Sequence, residues 1–102
     1  MSKRSAERHT KRLDVRFEAG GSSYAGITSN LSKHGMFIRT MHGFVPGTTV
    51  NIELALPDSS MMRLQGRVRR TFKTSISAMK NGMGIELIEP CPEYLSFIEA
   101  FD

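Results

Sequence analysis

The sequence predicts an all-β chain: six short antiparallel strands forming a small closed or nearly closed barrel, followed by one short C-terminal helix. Three observations carry this. Apolar and polar residues alternate with period two in segment after segment, the pattern of half-buried strands. The segments are short and are separated by turns rich in glycine and proline. After Pro90 and Pro92 the period changes, and apolar residues recur at helical spacing.

In the first strand Leu13, Val15 and Phe17 alternate with Asp14, Arg16 and Glu18, and Gly20-Gly21-Ser22-Ser23 turns the chain. Residues 24–31 and 36–40 form the next two strands, a hairpin-like pair joined through Ser32-Lys33-His34-Gly35. Val45-Pro46-Gly47 interrupts before the fourth strand, where Val50, Ile52, Leu54 and Leu56 alternate with Asn51, Glu53 and Ala55. Pro57-Asp58-Ser59 ends it, with Asp58 placed to hydrogen-bond its own turn. In the fifth, Met62, Leu64, Gly66 and Val68 share one face, and Arg63, Gln65, Arg67 and Arg69 share the other. A polar loop over 73–81 leads to the sixth strand, 82–87, whose glycines allow a bend at a barrel corner. The helix runs from about 92 to 101, with Glu93 at its positive end and Tyr94, Phe97, Ile98 and Phe101 on one face, and it covers one opening of the barrel.

At 102 residues the chain has room for one core. We divide it into a flexible basic arm, 1–12, and a single barrel domain, 13–102. Residues 1–16 hold six basic and two acidic side chains, which accounts for the whole net charge of +4. Such an arm attracts an anion, although charge alone favours the plainer reading of a solvated tail that keeps the protein soluble. No apolar run is long enough to cross a membrane and no secretory signal opens the chain, so a soluble, cytoplasmic protein is expected. The single Cys91 agrees with a reducing compartment.

Catalytic chemistry is not expected. Ser32 and His34 are two apart on a tight turn, which rarely brings a base onto a nucleophile, and no carboxylate stands near to orient the imidazole. His9, His34 and His42 are scattered without carboxylates at ligand spacing, so no metal or other cofactor is expected. No glycine-rich turn joins a strand to a helix in the first half, which removes the common phosphate-binding loops. What remains is a binding site. Arg8 and Arg12, four apart, each offer a planar fork of donors that fits a phosphate or a guanine edge. Asn30 and Ser32 share one face at a strand end while Leu31 turns to the core, and Gly35 is expected to take a positive φ in the turn and let a ligand approach the backbone.

The pattern R-x-x-x-R at Arg8 to Arg12, followed by N-x-S-x-x-G at Asn30 to Gly35, resembles the PilZ domain family. Leu13-Asp14-Val15, Gly35-Met36-Phe37-Ile38, Gly66-Arg67-Val68 and Gly82-Met83-Gly84-Ile85 are similar to that family's strand landmarks, so the resemblance covers nearly the whole chain. It implies a six-stranded barrel that binds cyclic di-GMP, a bacterial second messenger, through Arg8, Arg12, Asn30, Ser32 and Gly35. Arg4, Glu7, Lys11 and His34 stand beside these positions as candidates for further contacts. Arg4 to Arg8 is a second register of the arginine pattern, but Arg12 abuts the first strand as the family requires. Glu7, just before the pattern, bears on whether one or two ligand molecules bind. The resemblance also implies an arm that orders on binding, and a downstream protein partner in motility, pilus or biofilm machinery. Two other readings stay open: a ligand-independent interaction module of the same fold, and a barrel for single-stranded nucleic acid. For the last the chain is short of aromatic stacking platforms, with only two Tyr, six Phe and no Trp.

Overall fold

The computed structural model describes residues 12–73 and 81–100. Alternation in the sequence becomes alternation in burial. The strands are β1 (Asp14–Ala19), β2 (Ser22–Leu31), β3 (Gly35–Arg39), β4 (Thr49–Ala55), β5 (Met61–Phe72) and β6 (Gly82–Leu87), and helix α1 (Pro92–Glu99) follows. All neighbouring strands are antiparallel and close into a barrel, as the sequence predicted, and their order around it is β1-β2-β3-β6-β5-β4. Inward side chains from every strand fill the interior, among them Phe17, Leu31, Ile38, Val50 and Leu54, all fully buried. Closing the sheet removes its open edges, which is why so short a chain of strands can stand with one helix beside it.

The strand ends differ from expectation in places that have simple causes. β2 begins at Ser22, because Gly20 and Gly21 alone make the turn, with φ of 58° and 86°. Two consecutive positive φ values match the twist of a hairpin, so Ser22 and Ser23 pair with Ala19 and Glu18. β5 continues to Phe72 because β6 pairs with it that far. Most of the polar loop, and Phe101, lie outside the described residues. The glycines of β6 differ in their surroundings. A side chain on Gly82 would strike the Ile38 carbonyl and the Phe37 ring, so close packing of β3 explains it, whereas one on Gly84 would meet nothing within 4 Å.

Two bulges interrupt the alternation. In β2 the register shifts between Thr28 and Asn30, and in β5 between Val68 and Arg70. Each adds one residue to its strand, bends it and reverses which parity faces inward. Thr28 and Leu31, three apart, are therefore both buried, and Asn30 is turned outward. Beyond Val68, Arg69 and Arg70 both face solvent.

At one end of the barrel α1 buries Tyr94 and Ile98, with Phe97 packed alongside. Pro92 starts the helix and Glu93 sits in its first turn. At the other end Phe17, Tyr24 and Phe44 cluster with ring centroids about 6 Å apart, and His42 stacks on Tyr24 at 4.4 Å. Among the described residues no helix is long and apolar enough to cross a membrane.

Truncating Leu54, fully buried where β4 pairs with both β1 and β5, should cost about 2–5 kcal/mol of unfolding free energy in a urea titration. Met61→Ala, on the exposed side of the neighbouring strand, should change it by less than about 0.5 kcal/mol.

Candidate functional site

The turn between β2 and β3 is held from three directions. Ser32 N donates to the Gly35 carbonyl at 2.9 Å, and Ser32 Oγ accepts the backbone N–H groups of Gly35 at 3.2 Å and His34 at 3.3 Å. Leu87 N donates to the His34 carbonyl at 2.8 Å, which ties the turn to the end of β6. From below, the Tyr94 hydroxyl donates to the Ser32 carbonyl at 2.8 Å and reaches the Gly35 carbonyl at 3.5 Å. The helix thus fixes the turn through one fully buried phenol. Burial pushes that phenol's pKa up from the ordinary 10.0, because a phenolate would be left without water.

Gly35 corrects one expectation. It is not among the glycines with positive φ, which are Gly20, Gly21 and Gly47. Its missing side chain is required because a Cβ there would overlap the Ile85 carbonyl oxygen, so the close approach is that of β6. Ser32 likewise uses its hydroxyl oxygen within the turn, where the sequence suggested a hand extended to a ligand.

Asn30, Ser32, His34 and Gly35 line one cleft of about 400 Å³ on the outside of the barrel. Its other walls are Phe37 from β3, Gly84 and Glu86 from β6, and Arg69 and Arg70 from β5. The register explains the shape. Asn30 lies opposite Phe37, Phe37 opposite Gly84, and Gly84 opposite Arg70, so a single row across four strands has an empty place in it. The Asn30 side chain and the Arg70 guanidinium have no hydrogen-bond or ion-pair partner among the described residues, whereas Arg69 is paired with Glu86 at 2.5 Å.

Arg12 lines a second depression, with Ile27, Arg39, Thr40 and Met41. It is placed there by a reciprocal pair of hydrogen bonds, Leu13 N to Thr28 Oγ1 and Thr28 N to the Leu13 carbonyl, each 2.9 Å. The row Ile27, Arg39, Gly82, Phe72 runs beside the row of the cleft, so the two hollows share one face, about 7 Å apart along β3. Arg12 is therefore near the Asn30 group but not in its cleft. Arg4, Glu7, Arg8 and Lys11 lie outside the described residues. Arg39, Arg70 and Thr28 were not singled out from sequence, and Tyr94 was named only for its place on the apolar face of the helix. The arginines become visible only once register shows which of them lack an acidic neighbour.

A family model for the PilZ domain matches residues 2–101. This chain belongs to the PilZ domain family. PilZ domains are receptor and adaptor modules, and cyclic di-GMP is the ligand the family binds. Two solved structures share the fold. One is the Bacillus subtilis inhibitor of motility, MotI/DgrA, with a TM-score of 0.78 and 21% identity over 99% of this chain. The other is the PilZ domain of a CeSA protein from a cellulose-synthesising bacterium, with a TM-score of 0.70 and 19% identity over 94% of this chain and 98% of that one. This chain spans about half of the MotI/DgrA chain, 49%. No curated protein sequence matches it.

The tie from PilZ helix α1 to the turn has a pH signature. Unfolded, the Tyr94 phenol ionises near pH 10; folded, it ionises only above that. Stability it confers is whole below pH 10 and falls as the pH rises further. Tyr94→Phe should cost about 0.5–1.5 kcal/mol at neutral pH and flatten the decline in melting temperature above pH 10, measured by circular dichroism across both variants.

Proposed function

We propose that this PilZ domain is a cyclic di-GMP receptor in which Arg8 and Arg12 hold the ligand from the arm, 1–12, while Asn30, Ser32 and Gly35 present the barrel's half of the site. The observation that carries the reading is the shared face. Asn30 and the 32–35 turn line a cleft that also holds Arg70, which has no partner among the described residues, and Arg12 is anchored beside it. A molecule with two guanines and two phosphates suits such a face, since guanidinium forks match both groups. At roughly 1.5–3 kcal/mol per charge-assisted hydrogen bond, a few contacts offset the cost of ordering the arm. Ordering of residues 1–12 is then the signal, and Glu7, Arg4, Lys11 and His34 are the neighbours that tune it. Such a receptor works in the cytoplasm and hands its state to another protein. Likeness of fold to an inhibitor of motility makes motility machinery the first place to look for that partner.

A second reading has its own support. Ser32 and Gly35 both have structural reasons for their identities, in the turn hydrogen bonds and the close pass of β6, and these would persist in a ligand-independent interaction module.

Calorimetry with cyclic di-GMP separates the two. Saturable binding is expected, weakened roughly tenfold or more in each of Arg8→Ala, Arg12→Ala and Asn30→Ala. Absence of heat with the unsubstituted chain, together with unchanged hydrogen exchange in residues 1–12, would favour the ligand-independent module.

A further inference from the structure

Several other arginines of the barrel face carboxylates. Arg63 pairs with Glu53 at 3.4 Å and Arg69 with Glu86, while Arg16 and Arg67 stand in register with the same two glutamates. Arg39 breaks the pattern. Its cross-strand neighbours are Ile27 and Gly82, neither of which can neutralise it, and it has no partner among the described residues. Arg12 is equally unpaired, and the two meet in one depression of about 360 Å³. Thr40 Oγ1 accepts the His42 N–H there at 3.0 Å, which leaves its hydroxyl hydrogen free to donate. Ile27 and Met41 complete the lining, 45% and 51% exposed.

We propose that Arg12 and Arg39 form a subsite for one phosphate of the ligand, with Arg39 as the guanidinium that the barrel itself contributes. The inference rests on the receptor reading above and extends it to a residue outside the two motifs. Two neighbouring guanidinium groups repel each other until an anion lies between them, and a phosphate can accept from both forks at once. Arg39 is half-buried on a strand paired on both sides, so it gives up less freedom on binding than a residue of a terminal arm does.

The test is calorimetry of the full chain with cyclic di-GMP, using Arg39→Ala, Arg39→Lys and Arg63→Ala, each checked by circular dichroism. Arg39→Ala should weaken binding roughly ten- to hundredfold. Arg39→Lys keeps the stem and charge but loses the fork, and should recover only part of the loss. Arg63→Ala, on another face and already paired with Glu53, removes the same charge and should stay within about twofold. Binding by the unsubstituted chain with Arg39→Ala equally tight overturns the subsite and leaves the receptor reading standing. No binding by the unsubstituted chain overturns both.

Discussion

The bulge at Ser29 decides what β2 shows to solvent. A strand can bury only every second residue, yet Thr28 and Leu31 are both in the interior. The extra residue reconciles them, and in doing so gives β2 two tasks. Before the bulge, Thr28 reaches inward and grips Leu13, which sets Arg12 against the outside of the barrel. After it, Leu31 enters the core and Asn30 faces outward. A small barrel needs such bends to close, so the device that curves the sheet also assembles the face. The β5 bulge does the same at the opposite wall of the cleft, releasing Arg69 and Arg70 together to solvent.

Beneath that face the turn is built to stay put. Ser32 folds its hydroxyl back onto the turn, Gly35 yields room to β6, and Tyr94 reaches up from the helix to both carbonyls. Ser32 therefore owes its identity to the hydrogen bonds of the turn and Gly35 to the close pass of β6, and only Asn30 has its polar atoms turned out and unengaged by the described residues. A rigid turn spares the ligand the cost of ordering it. The same phenol ties α1 to the state of the turn.

The barrel was legible because alternation is strong wherever one face of a strand is buried, as in β4 and β5, where Ile52, Leu54, Met62 and Leu64 face inward in turn. The motif residues of the turn were legible as a group, and they do share a cleft. Bulges were not, since one extra residue reads in sequence as a lapse in the pattern. Gly35 was assigned to turn geometry because a glycine's absent side chain looks the same whether φ or a neighbouring strand demands it. Arg39 and Arg70 look no different in sequence from Arg63 and Arg67. Only register shows that one pair faces glycine while the other faces glutamate. The roles of Arg4, Glu7, Arg8 and Lys11 rest on spacing, as these residues lie outside those described.

Charge pairing is uneven around this barrel. Glu53 and Glu86 occupy the neighbourhoods of Arg16, Arg63, Arg67 and Arg69, while Arg12, Arg39 and Arg70 look onto apolar or empty positions. The central claim is that the face bearing Arg12, Arg39 and Arg70 receives the ligand. Backbone amide NMR shifts followed through a cyclic di-GMP titration test it most directly. The account predicts saturable shifts at Asn30, Gly35, Phe37, Arg39 and Gly84, with Asn51, Glu53 and Arg63 on the opposite side unmoved. Shifts centred on that opposite side, or none that saturate, would contradict it.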